Sequence, residues 1–120
     1  MTKRVWNIQE LILLNKTYDM IQYAYGALAQ YPKSEKFALA ADVKKCMHRI
    51  LEREVEASKK YYKKTTLQEL DVDITILKYY IRLSRDLKFL PPKKYEIWAG
   101  MVAEIGKILG GWLKSVRDRG

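Results

Sequence analysis

Residues 66–87 read TLQELDVDITILKYYIRLSRDL. Leu70, Ile74, Leu77 and Ile81 recur at three- and four-residue spacing, the period of a helix that turns one side to a core. A second apolar row, Val72, Ile76, Tyr80, Leu83 and Leu87, runs along the same segment. Thr66 followed by Glu69 has the form of a capping box, so this helix is expected to open at about 67 and to run to about 89. A helix in a monomeric bundle needs one apolar stripe a little over ~100° wide. Two stripes predict either a broad core-facing surface or a second face covered by another subunit or protein.

Downstream, "LPPKK" breaks the pattern, and Pro92 suits the first turn of a fourth helix over 93–117. Within it, "EIGKILGGWLKSV" (104–116) keeps the helical period through Ile105, Ile108, Leu109, Trp112, Leu113 and Val116. Gly106, Gly110 and Gly111 interrupt it, each at a cost of about 1 kcal/mol relative to Ala. Gly106 and Gly110 share one side with Ala103 and Ala99, a strip over which a neighbouring helix can approach closely. Trp112 supplies a large buried residue beside that gap. Packing inside one bundle and packing between subunits both account for such a strip.

Upstream, a first helix is expected over 8–31, with Leu11, Leu14, Tyr18, Ile21, Tyr25 and Leu28 as its stripe and Asn7 with Glu10 as a capping box. Pro32 ends it. A second follows over 35–62, with Val43, Met47, Leu51, Val55, Ser58 and Tyr62 inward. No segment sustains strand-type alternation, and no Asn-Gly or Asp-Gly hairpin signal is present. Four helices joined by short connections predict an all-α, antiparallel up-down-up-down four-helix bundle, a single domain over residues 1–120.

A hydrophobic content of 48% excludes a disordered chain. Lys and Arg number 23 against 14 Asp and Glu, a formal charge of +9, which points to an anionic partner such as nucleic acid. The lone cysteine, Cys46, allows no disulfide within the chain and reads as a small core residue. No run approaches the ~18 apolar residues of a membrane span, and "MTKRVWNIQE" lacks a signal-peptide core. A cytoplasmic protein without membrane contact is expected.

The sequence assembles no catalytic, metal or cofactor site. A bundle di-iron centre needs two Glu-x-x-His pairs, whereas this chain has one histidine, His48, with Lys45 three residues before it. His48 reads as an exposed residue with Glu52 as its i+4 neighbour. Asp71 and Asp73 are two apart and so diverge on a helix, where they complement the positive end of the dipole. Gly110-Gly111 lies inside a helical pattern and follows no strand, unlike a phosphate loop.

The basic residues are better organised. Lys78, Arg82 and Arg85 fall at i, i+4 and i+7 of the third helix, and Lys107, Lys114 and Arg117 make a corresponding row on the fourth. The second adds Lys45, Arg49, Lys59, Lys60, Lys63 and Lys64, diluted by Glu52 and Glu56. Several cations on one surface release counterions from a phosphate backbone and bind it without reading bases. A merely solvated face would show the same residues.

The strings "LKYYIRL" (77–83), a proline-lysine turn with "YE" (95–96) and "EIGKILGGWLKS" (104–115) resemble the accessory variability determinant (Avd) proteins of diversity-generating retroelements. "KTYDMI" (16–21) and "YPKSEKFAL" (31–39) are similar to the first helix and first turn of that family. The resemblance covers roughly residues 15–118. Its relatives include the four-helix-bundle proteins encoded in 23S rRNA intervening sequences. "DVKKCMHRILEREVEAS" (42–58) departs from the second helix of that branch and favours the Avd branch. The resemblance implies a non-enzymatic homopentamer, a basic barrel that partners a reverse transcriptase and template RNA in mutagenic cDNA synthesis. It implies basic positions on the third and fourth helices at or near Lys78, Arg82, Lys107 and Lys114. The alternative is an intervening-sequence-type interaction protein with no reverse-transcriptase partner.

Overall fold

The structure, a computed structural model, describes residues 8–119, and among these the chain forms four α-helices and no strand. They are α1 (Ile8–Leu28), α2 (Leu39–Lys59), α3 (Lys64–Asp86) and α4 (Pro92–Arg119), with a single 3-10 turn at Lys33–Glu35. Contacts join α1 to α2, α2 to α3, α3 to α4 and α4 to α1. The pairs α1/α3 and α2/α4 are therefore diagonals, the arrangement of an up-down-up-down bundle, here 51 × 25 × 20 Å.

The helix ends follow local chemistry that periodicity does not register. α1 stops at Leu28 rather than 31 because Gln30 and Tyr31 switch to i→i+3 hydrogen bonds before Pro32, which disfavours a helical residue ahead of it. α2 opens at Leu39 rather than 35, since the intervening residues close only one 3-10 turn and Ala38 leaves helical space at ψ −109°. It ends at Lys59 because Lys60 is extended (φ −84°, ψ 147°), and the Lys63 amine donates to the Ala57 carbonyl at 2.6 Å. α3 then starts at Lys64, so Thr66 lies inside the first turn and the expected capping box with Glu69 does not form. Thr66 Oγ1 accepts from the Lys60 amine instead, and Glu69 pairs with Arg53. The corresponding box at Asn7 lies outside the described residues.

α3 ends at Asp86, short of the expected 89, in a Schellman motif. Phe89 N–H reaches Ser84 O and Lys88 N–H reaches Arg85 O, with Lys88 in the left-handed region at φ 64°. Pro92 opens α4 as expected, where a missing N–H costs nothing, and Pro91 O accepts from Tyr95 N–H.

The core contains the expected α3 row of Leu70, Ile74, Leu77 and Ile81, together with Trp98, Val102, Ile105, Leu109 and Trp112 of α4. The second α3 row lies mostly on the outside, with Val72, Ile76 and Leu83 exposed, as is Leu87 just beyond the helix, while Tyr80 packs against the core edge. α1 keeps only part of the expected stripe in the core, Leu28 being buried and Ile21 packed against it, and otherwise turns a neighbouring face inward. Leu13, Thr17, Met20, Ala24 and Ala27 point inward, while Leu11 and Tyr18 are 46% and 57% exposed. Trp98 donates its indole N–H to Met20 Sδ at 3.4 Å, so the α1 face that enters is the one that accommodates this large ring. In α2 the inward set is Leu39, Ala40, Val43, Cys46, Met47, Ile50, Glu54, Ala57 and Ser58, whereas Val55 is exposed, as is Tyr62 beyond the helix end.

Candidate nucleic-acid interface

α3 carries Lys78, Arg82 and Arg85 on the side that meets α4. Seven residues of helix separate the first from the last, about 10.5 Å at 1.5 Å per residue. All three are exposed. Lys78 and Arg82 stand on one wall of a groove of about 340 Å³, with Tyr79 beside them and Tyr95, Ala99 and Ala103 of α4 opposite. Arg85 is committed in part, since its guanidinium lies 4.6 Å from the Tyr95 ring centroid and pairs with Asp86 at 3.0 Å. Tyr79 and Tyr95 were not singled out by sequence reasoning. The i, i+1 relation of Lys78 and Tyr79 was the only local signal, and the Tyr95 contribution comes from a different helix.

Lys107 and Lys114 are exposed and point away from the α4 core row. Ten residues at about 100° each rotate Arg117 by roughly 80° from Lys107 towards the α3 side. The fourth-helix row is therefore two lysines in line, with an arginine offset at the end. Among the α2 basic residues, Arg49 and Arg53 are tied to the buried Asp73 at 3.0 and 2.6 Å. Asp73 thus acts as a clamp between α2 and α3 rather than as a partner of the helix dipole, while Asp71 stays exposed.

The strip of small residues divides by environment. A Cβ on Gly106 would lie 3.4 Å from Lys78 Nζ and 3.8 Å from Ile74 Cγ2, so this glycine packs against α3 of the same bundle. Ala103 belongs to the groove wall, Trp112 to the core, and Gly110 has nothing within 4 Å of a Cβ. Gly106→Ala is expected to stabilise by about 0.5–1 kcal/mol, because the lysine amine can swing aside and helix propensity improves. Gly106→Leu should cost about 1–3 kcal/mol by overpacking against Ile74. Urea midpoints of the two variants check both; equal midpoints would remove Gly106 from the α3–α4 contact.

Three further side chains carry titratable groups outside the groove. His48 is exposed, and its Nε2 hydrogen bonds to Tyr25 Oη at 2.7 Å, the partner being across on α1 rather than Glu52. Cys46 is buried, as expected, and desolvation pushes its thiol up to about 11, so it stays protonated and unreactive. Glu54 is almost fully buried, and Thr17 Oγ1 donates to its Oε2 at 2.6 Å. No sequence signal marked this pair, whose members are 37 residues apart. No described helix is long and apolar enough to cross a membrane.

Among the described residues, this groove brings together no acid, base and nucleophile. Lys78 and Arg82 line the groove with Tyr79, Tyr95 and two alanines, Lys107 and Lys114 stand exposed on α4 outside it, and such a set of exposed cations suits a phosphate backbone. A family model described as bAvd-like matches residues 11–116. No curated protein matches the chain.

Proposed function

The chain belongs to the bAvd-like family, and we propose that it is a cytoplasmic, non-enzymatic accessory protein of a diversity-generating retroelement, holding template RNA and the reverse transcriptase together. The observation that carries the RNA part is the run of exposed cations, Lys78 and Arg82 on α3 with Lys107 and Lys114 on α4, in a chain of formal charge +9. Each phosphate neutralised there releases counterions and adds affinity without sequence readout.

The same reading includes assembly into a homo-oligomeric ring, a homopentamer. Two exposed apolar faces support it: Leu11 and Tyr18 on α1, and Val72, Ile76 and Leu83 on α3. α1 and α3 are diagonal in the bundle, so one head-to-tail contact buries an α1 face of one copy against an α3 face of the next. Repeated contacts of that kind close into rings when the rotation permits. The apolar surface left outside the ring docks the polymerase.

Co-expression tests the reading. The protein is expected to co-purify with the reverse transcriptase and template RNA of its own retroelement, and light scattering of the pure protein should give five times the protomer mass. A reverse transcriptase that elutes free of it, with RNA unbound, would leave an interaction protein of the intervening-sequence type. A clean monomer peak would remove the ring.

A further inference from the structure

The linker between α2 and α3 displays Tyr61 and Tyr62, each 85% exposed. Their rings stand edge to face, 4.8 Å between centroids and 84° between planes. The turn itself is held by other residues. The Lys60 amine pairs with Glu56 at 2.5 Å and donates to Thr66 Oγ1 at 3.3 Å. The Lys63 amine closes the end of α2 at Ala57 O, faces Glu10 at 3.6 Å and lies 5.9 Å from the Trp112 ring centroid. Both flanks of the loop are thus tied to the bundle, and the two rings are presented to solvent on a short, anchored base. A loop that only reversed the chain would have no use for two large aromatic surfaces in water.

The surroundings are cationic. The six residues 59–64 read KKYYKK, with no acidic residue among them. The Lys63–Trp112 contact brings the last turns of α4, with Lys114 and Arg117, to this same end of the bundle. Two aromatic faces flanked by positive charges match a ligand that offers flat faces beside negative charges. A single strand of nucleic acid does so, with unpaired bases between phosphates, whereas a duplex hides its base faces in the stack.

We propose that Tyr61 and Tyr62 form a stacking platform for an unpaired base of single-stranded nucleic acid, with its backbone passing Lys64 and Lys114. This rests on the RNA-binding reading above and adds the class of nucleic acid and a second point of attachment, separate from the α3–α4 groove.

The test measures anisotropy of a labelled, unstructured RNA of about twelve nucleotides, and of a duplex of equal length, over a salt series. The full chain is compared with Tyr61→Ala/Tyr62→Ala and with Tyr61→Phe/Tyr62→Phe. The alanine pair is expected to lose roughly tenfold or more on the single strand and little on the duplex, at unchanged salt slope, because stacking releases no counterions. The phenylalanine pair should bind as the unaltered protein does. Circular dichroism and light scattering should match in all three. Unchanged single-strand affinity of the alanine pair, an equal loss on the duplex, or an altered oligomer mass each overturns the platform while leaving the RNA reading in place. Failure of the unaltered protein to bind either RNA, with binding to anionic vesicles instead, overturns the RNA reading itself.

Discussion

Reversing charge at Lys78 and Arg82 together, Lys78→Glu with Arg82→Glu, should lower affinity for single-stranded RNA by roughly 30- to 100-fold near ~0.1 M salt. Each phosphate contact on a single strand contributes about 0.7 to the logarithmic salt slope, so loss of two reduces that slope by about 1.4. The same arithmetic gives a loss of about 25-fold at ~0.1 M salt, and the two introduced carboxylates add repulsion. The fold should not feel the change. Both side chains are exposed on α3, glutamate is a good helix former, and the residue facing Lys78 is Gly106, which demands nothing of it. Lys45→Glu is the control, an exposed lysine on α2 away from the α3–α4 groove, and should change affinity far less. A double variant that binds like the unaltered protein throughout a salt titration would take the groove out of the RNA path.

The second large effect concerns stability. Glu54 is 1% exposed, with one oxygen accepting from Thr17 and the other, Oε1, without a hydrogen-bond partner among the described residues. Desolvation pushes its carboxyl up to about 8, against the Thr17 hydrogen bond, which pulls the other way. The folded chain therefore binds a proton that the unfolded chain, with an ordinary carboxyl near 4.5, has already released at neutral pH. Stability from this group is full below that unfolded value and is lost as pH rises through about 8. At pH ~7 the loss amounts to about 3 kcal/mol, large beside the few to fifteen that a domain of this kind possesses. Glu54→Gln keeps an acceptor for Thr17 and has no charge to desolvate. It should raise the urea midpoint at pH ~8, change little at pH ~4.5, and flatten the profile between. Parallel pH profiles for the two proteins would show that Glu54 titrates normally in the fold.

Glu54 also marks where sequence reading stops. An acidic residue at an inward helical position carries no visible partner in sequence, because Thr17 sits on another helix 37 residues away. Asp73 is similar. Its position near the start of α3 suggested a dipole role, yet it is buried between Arg49 and Arg53 of α2, 24 and 20 residues back. Both pairings are made only when antiparallel neighbours come into register, and both remove charge from the surface that composition alone counts as available. Arg49, counted in the α2 basic row, and Arg53 are thus already paired with Asp73, whereas Lys78 and Arg82 are legible from their four-residue spacing and remain exposed.

The sequence by itself determined the four helices, their order, the proline-marked breaks and the core rows of α3 and α4. Those features are local: a repeat every three to four residues, or a ring that cannot donate a hydrogen bond, acts within one segment. It also determined the basic row on α3. Only the tertiary structure decided which of two apolar sides of α1 goes inside. Periodicity shows that a helix is amphipathic, but the choice between a bulky face and one of Leu13, Thr17, Met20 and two alanines depends on what stands opposite, here Trp98 of α4 and Glu54 of α2. Likewise, the groove needs Tyr79 and Tyr95 from different helices, and Gly106 acquires its reason only when Ile74 and Lys78 are brought against it. Contacts between segments distant in the chain are set by shape and by the cost of burying unpaired polar groups, and neither is written in the period of a single helix.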